Sequence, residues 1–354
     1  MKRLVVCCDG TWNRPDHLDQ GVAAPTNVAK LALAVAATDG QGNEQKLYYQ
    51  AGVGTRPAER WLGGGFGVGL SRNVKDCYRF VAEYYERGDE LYLFGFSRGA
   101  YTARSTVGMI RNCGILLPEH LRRVDEAFRL YRDRSRATAP GELAAQLFRR
   151  TYSHPNAPIQ FIGVWDTVGA LGIPIDGFRP PGLSRLWSFH DPQLSRLVRH
   201  AFHAVAIDER RQPFKPTLWV QHADAGDQEV EQMLFAGVHC DVGGGYADPS
   251  LSEIPLLWIA GKAVACGLAL SDDRLVRNDA AGLSDARRQG IEVAPDPLGC
   301  LNDSRTRFYR LFPTWDRLTK PETREGSGMA LSDTVRARRQ ALAQYRPPGL
   351  DDWL

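Results

Sequence analysis

Residues 90–101 read Glu90-Leu91-Tyr92-Leu93-Phe94-Gly95-Phe96-Ser97-Arg98-Gly99-Ala100-Tyr101, and no other stretch restricts the fold as strongly. A short apolar run, of the kind that forms a strand buried on both faces, ends in Gly-Phe-Ser-Arg-Gly. It passes at once into a segment patterned as helix over 98–112. So sharp a turn has to hold Ser97 in a strained backbone conformation, and it lifts the hydroxyl above the strand ends. Gly95 and Gly99 have to be small because strand and helix pass close there. The Arg98 amide, at the helix start, points where an oxyanion would form.

The 354 residues are enough to bury a large core. With 43% apolar and 24% charged residues, the chain is globular rather than disordered. A net charge of +3, from 44 basic and 41 acidic residues, excludes a strong global nucleic-acid signal, and no nucleic-acid partner is expected. Met1-Lys2-Arg3 precedes only a few apolar residues before Asp9, which is no secretory signal. The longest apolar stretch, 254–270, contains Lys262 and falls short of a membrane span, so it is read as a buried helix. Cys7, Cys8, Cys77, Cys113, Cys240, Cys266 and Cys300 are scattered and odd in number, as expected of reduced thiols in a cytoplasmic protein.

Taken in order, 4–8 is a strand that delivers Asp9-Gly10-Thr11-Trp12-Asn13 as a polar loop. Amides of Gly10 or Thr11 could supply a second oxyanion donor. Equally, Asp9 and Asn13 could bond their own backbone in a strand-terminating turn. A helix is expected over 27–37, a strand over 46–50, and a helix over 71–87 after the glycine-rich stretch 52–69. That stretch lacks the residues of a nucleotide cradle and is read as a loop near the site. In the basic segment 118–150, Leu121, Val124, Phe128 and Tyr131 recur at helical spacing among Arg122, Arg123, Arg129, Arg132, Arg134 and Arg136. It is expected to be an inserted helical cap. Its basic face is open to two readings, a solvated surface, which is favoured, or contact with anionic membrane head groups. A third strand is expected over 159–165, then an apolar loop over 171–189, read as a lid or acyl-pocket wall or equally as core under a long loop. A helix over 194–205 and strands over 217–221 and 231–238 follow. A helix over 252–270 leads to a polar tail with one helix over 331–344. The domain reading is a core over 1–270 with insertions at 113–158 and 171–200, and a C-terminal extension, 271–354, packed on it.

A serine hydroxyl needs a base in contact with it, usually histidine, oriented by a carboxylate. In α/β-hydrolases the three arrive in the order Ser, Asp, His, at strand ends. Ser97, Asp166 and His239 meet that order, each directly after an apolar run. Asp208 rivals Asp166, being nearer in sequence to His239. Asp166 is preferred because it caps a strand, whereas Asp208 is expected to end a helix. Asp9, Asn13, Asp208 and Asp241 are candidate supporting residues. His200 and His203 are read as packing residues on a helix, and His222 with Asp224 as a weak metal-like pair.

Five ordered stretches carry a resemblance to a known family. They are Cys8-Asp9-Gly10-Thr11-Trp12-Asn13, Gly95-Phe96-Ser97-Arg98-Gly99-Ala100, Val164-Trp165-Asp166-Thr167-Val168-Gly169, His203-Ala204-Val205-Ala206-Ile207-Asp208-Glu209-Arg210, and Gly237-Val238-His239-Cys240-Asp241-Val242-Gly243-Gly244-Gly245-Tyr246. Together they resemble the α/β-hydrolase family of unknown-function domains that includes the catalytic domains of type VI secretion phospholipase effectors. The resemblance implies an α/β-hydrolase-like, mostly parallel sheet flanked by helices, with a helical cap. It also implies a Ser97-Asp166-His239 triad acting on carboxylic esters, most readily of phospholipids. Delivery by type VI secretion, with a secretion-apparatus or immunity partner, would come with it. Neither metal nor cofactor is expected. An esterase for small soluble esters, a non-catalytic binding module, and metal-assisted hydrolysis through Asp9, His239 and Asp241 are the alternatives.

Overall fold

A computed structural model describes residues 1–10, 13, 16–52, 65–133, 135–154, 157–169, 193–271, 274–277, 291–305, 309–320, 323 and 328–354. Thr11, Arg134, residues 53–64 of the glycine-rich stretch and the apolar loop 171–189 lie outside them. At the centre is a sheet in which all seven described strands pair in parallel. The strands are β1 (Arg3–Cys8), β2 (Gln45–Gln50), β3 (Glu90–Phe96), β4 (Ile159–Trp165), β5 (Val198–Ala206), β6 (Glu229–Phe235) and β7 (Met329–Leu331). They lie in the order β7-β6-β5-β4-β3-β1-β2. The chain builds outward from β1 to β2, then returns past β1 and builds the other way. Between β1 and β3 the direction reverses, and in such sheets ligands bind outside the carboxyl ends of the strands at that point.

Both faces of the sheet are apolar because helices cover both. On one face Leu4, Val6 and Cys8 pack with Leu91 and Leu93. Above them lie α2 (Gly65–Tyr84), α3 (Arg98–Cys113), α4 (Val124–Arg132) and α5 (Leu143–Tyr152). On the other face Val5 and Cys7 pack with Tyr92, Phe94 and Phe96, beneath α1 (Asn27–Ala34) and α7 (Ser250–Ala265). Each large apolar side chain so buried contributes about 1.5–3 kcal/mol. This double burial produces near-continuous apolar strands whose first polar residue marks the sheet edge. The edge is where Asp9, Ser97, Asp166, Asp208 and His239 all emerge.

The basic insertion belongs to the first of these layers. Val124 and Ala127 are buried, and Leu121, Phe128 and Tyr131 pack on the cluster beneath α2 and α3. Arg122, Arg129 and Arg136 are exposed. Arg123 pairs with Glu126 at 2.7 Å and lies over the Tyr152 ring.

Four expectations are corrected. Residues 198–206 form the central strand β5, not a helix over 194–205. Leu194, Leu197, Val198, Ala201 and Phe202 fall at helical spacing, but that spacing arises from a strand that is apolar on both faces. Asp208 therefore follows a strand, as Asp166 does, and His200 and His203 sit on β5. Residues 217–221 are not a strand of the sheet; Val220 makes an isolated bridge to Gln193, and Pro216, just before them, one to Val168. β6 ends at Phe235, and His239 opens a short helix, α6 (His239–Gly243), instead of a strand-end loop. Finally, Leu331 ends β7, and α8 spans Asp333–Ala341, so the polar tail supplies a strand of the main sheet. Leu318, Leu331, Val335, Tyr345 and Leu350 from that tail pack on Val205, Ile207, Leu234 and Ala236.

Candidate active site

Ser97 stands between β3 and α3 with φ 58° and ψ −120°. Gln20, Ser97 and Asp166 are the non-glycine residues with positive φ among the described residues, so two of the three are candidate site residues. Such conformations persist only where the surroundings over-determine them. Here the determinants are visible. A Cβ on Gly99 would meet the Cys8 carbonyl oxygen at 2.0 Å, and one on Gly95 would meet the Ala100 backbone at 2.6 Å. The Ser97 amide donates to the Trp165 carbonyl at 3.0 Å, tying the turn to the end of β4, one residue before Asp166.

Asp166 is fully buried, with φ 38°. Its Oδ2 accepts from His239 Nδ1 at 2.6 Å, and its Oδ1 accepts from the Ala206 amide at 3.1 Å. Arg317 reaches it from the C-terminal tail, donating from Nη1 to Oδ1 at 2.5 Å and from Nη2 to Oδ2 at 3.1 Å. Burial pushes the Asp166 carboxyl up, but the Arg317 charge and the His239 bond outweigh it and hold the group well below the usual carboxylate range. His239 is buried, with the Phe96 ring 4.6 Å and the Phe214 ring 5.0 Å away, centroid to centroid. Burial lowers its pKa from the ordinary 6.5 more than Asp166 and Glu209 raise it. The imidazole is therefore neutral at pH 7. With Nδ1–H given to Asp166, Nε2 carries the free lone pair. The Ser97 hydroxyl makes no hydrogen bond among the described residues.

Glu209 aligns the helix that carries His239. Its buried carboxylate accepts from the His239 amide at 3.4 Å, from Ser304 Oγ at 3.0 Å and from Arg211 Nη2 at 2.7 Å. Arg211 in turn stacks on Phe214 at 3.6 Å. Asp208 does not meet His239. Its Oδ2 accepts from the Gly237 amide at 2.7 Å and from Tyr345 Oη at 2.9 Å, and burial raises its pKa to about 6. Asp241 caps its own helix through the Val238 amide and binds Asn302 Nδ2 at 2.6 Å. Asn27 on α1 holds α6 and α7 together by donating to the Val242 and Ser252 carbonyls.

Asp9 is also structural. It accepts from Thr26 Oγ1 at 2.8 Å, from Tyr49 Oη at 2.5 Å and from the Gly10 amide at 2.7 Å. The last bond engages one of the two amides expected as a second oxyanion donor. The Asn13 main-chain amide donates to the Gly10 carbonyl at 3.0 Å. Arg98 opens α3, a helix of 16 residues, and its amide lies at the positive end of that helix.

Asp9, His239 and Asp241 are held in separate networks. Among the described residues no group of three His, Cys, Asp or Glu side chains has the geometry of a metal site. Asp224, beside His222, pairs instead with Arg196 at 2.6 Å. His203 Nε2 accepts from the Thr167 amide at 3.1 Å, and burial lowers its pKa to about 3, so it is a packed neutral group. Arg317 was missed by the sequence reading. It lies among several other basic residues in a polar tail, 151 positions from its partner, and no spacing marks it.

Two comparisons give relatives of undescribed function. An uncharacterized protein of Saccharomyces cerevisiae is 31% identical over 235 residues, spanning 60% of this chain and 32% of the yeast protein. A crystal structure of an uncharacterized protein from Pseudomonas aeruginosa aligns with 76% of this chain and 46% of its own, at a TM-score of 0.41 and 17% identity. The chain thus spans less than half the length of either protein. Residues 2–262 match the family model described as type VI secretion system (T6SS) phospholipase effector Tle1-like, catalytic domain. The chain belongs to the Tle1-like phospholipase effector catalytic-domain family.

Proposed function

We propose that this chain is a serine hydrolase cleaving carboxylic esters of glycerophospholipids through an acyl-enzyme. The reading is carried by one observation, the 2.6 Å bond between His239 Nδ1 and Asp166 Oδ2 at the same sheet edge as the strained Ser97 turn. His239 Nε2 takes the Ser97 proton as Oγ attacks the ester carbonyl. The Arg98 amide, at the head of α3, donates to the developing oxyanion. A Gly10 amide could join it only by sharing or leaving its bond to Asp9. The imidazolium then gives its proton to the leaving alkoxide, and water, deprotonated by the same nitrogen, cleaves the acyl-enzyme. Asp166 stays ionised throughout, and its low proton affinity suits that role. Family membership supports the phospholipid substrate, delivery by type VI secretion, and an immunity partner.

The test is fatty-acid release from mixed phospholipid vesicles beside hydrolysis of a short nitrophenyl ester, for wild type and Ser97→Ala, with a chelator present. Lipid cleavage that disappears in Ser97→Ala is the expected result. Cleavage of the short ester alone would replace the substrate with a small soluble ester. Cleavage that survives in Ser97→Ala, or that the chelator abolishes, would overturn the mechanism.

A further inference from the structure

Arg317 is 1% exposed. Its two terminal nitrogens each donate twice. Nη1 reaches Asp166 Oδ1 and the Ala206 carbonyl (2.8 Å). Nη2 reaches Asp166 Oδ2 and the Phe214 carbonyl (2.7 Å). Each Asp166 oxygen therefore has two donors, Ala206 N and Arg317 Nη1 on Oδ1, and His239 Nδ1 and Arg317 Nη2 on Oδ2. A carboxylate so held cannot rotate about χ2, and Oδ2 faces the imidazole in one direction. A forked guanidinium does this as no single-point cation can. The arginine comes from outside residues 2–262, the part matched by the family.

The charge balance changes as well. Asp166 alone beside His239 would favour the imidazolium by its full negative charge. With Arg317 on the far side, the Asp166–Arg317 pair is neutral overall, and the imidazolium forms against a weaker field. The other groups around His239 partly cancel. Glu209 meets its amide and is itself forked by Arg211, and Asp241 on its own helix is turned to Val238 and Asn302. The Phe96 and Phe214 rings and the Cys240 thiol are uncharged, and Tyr309, packed on Phe214, interacts with Arg98 at the head of α3.

We propose that Arg317 is a positioning residue of the hydrolytic site, fixing the plane of the Asp166 carboxylate and lowering the proton affinity of His239. The proposal rests on the hydrolase reading above. It makes the C-terminal tail part of the catalytic machinery. Without Arg317, Asp166 would keep one donor on each oxygen in place of two and be less firmly held, and His239 would protonate at higher pH.

The experiment compares full-length wild type, Arg317→Gln and Arg317→Lys. Two readouts are taken: the His239 titration midpoint from side-chain NMR, assigned with His239→Gln, and kcat and KM on a short nitrophenyl ester across pH. In Arg317→Gln the His239 midpoint should rise by about one pH unit, and the acid limb of kcat/KM should rise with it. kcat should fall at least about tenfold while KM stays within about twofold. Arg317→Lys should keep the midpoint near wild type and yet lose kcat, because the charge returns without the fork. A folded Arg317→Gln with an unmoved midpoint and unchanged kcat would overturn the proposal. If Arg317→Gln does not fold, Arg317→Lys decides: a kcat within about twofold of wild type would overturn the proposal, and a loss at constant KM would support it. Activity that is indifferent to Ser97→Ala would instead sink the hydrolase reading, and the NMR midpoint would still report whether Arg317 governs His239.

Discussion

At the scale of single residues, Asp166 and Asp208 follow adjacent parallel strands and have opposite proton affinities. Asp166 is held ionised by Arg317 and His239, whereas Asp208, given no cation in contact, is raised to about 6 by burial. Asp166→Asn would set an amide donor where His239 Nδ1–H needs an acceptor and leave the Arg317 charge unpaired, and in folded protein kcat should fall by roughly 10³–10⁴. Asp208→Asn should leave kcat within a few-fold, since both of its partners bond Oδ2, which an amide oxygen replaces. A carboxyl raised in the folded state binds protons more tightly there, so its contribution to stability falls as pH rises from 3.8 through about 6. Asp208→Asn should therefore melt a few degrees higher than wild type at pH 8 and lose that advantage at pH 4, as calorimetry would show. His239 gives the complementary expectation for activity. Its pKa is lowered, so the neutral base persists below pH 6.5, and the acid limb of kcat/KM should lie under that value. A limb above 7 would contradict the burial argument.

At the scale of elements, the turn from β3 to α3 is the most constrained junction. A methyl group on Gly99 would overlap the Cys8 and Asp9 carbonyl oxygens, at 2.0 and 2.5 Å, and neither is a flexible side chain that could move aside. Gly99→Ala should destabilise the fold by roughly 3 kcal/mol or more, measured by chemical denaturation, and should lower the fraction of protein with a reactive serine. This junction was legible in the sequence because its constraint is local: an apolar run, two small residues and a helix pattern within a dozen positions. β1 and β4 were legible for the same reason. β5 was not, because a strand buried on both faces has no alternation to display, and its apolar residues also fit a helical stripe. That error gave a wrong ground for preferring Asp166 to Asp208. His239 bonds Asp166 and not Asp208, a pairing that no single-element pattern encodes.

At the scale of the whole molecule, five parallel strands deliver their polar ends to one edge, and the chain after 262 returns to complete it. β7 extends the sheet beside β6, Tyr345 bonds Asp208, and Arg317 forks Asp166. These contacts span 97 to 151 positions or depend on a three-residue strand, and sequence periodicity carries no record of such pairings. The proposed chemistry requires above all that Ser97 be the nucleophile. The direct measurement is labelling with a fluorophosphonate at pH 7, followed by peptide mass mapping of the adduct. A single stoichiometric adduct on Ser97, formed at least about a hundredfold more slowly in His239→Ala, is the predicted result. Labelling elsewhere, or none in folded protein that hydrolyses esters, would contradict it.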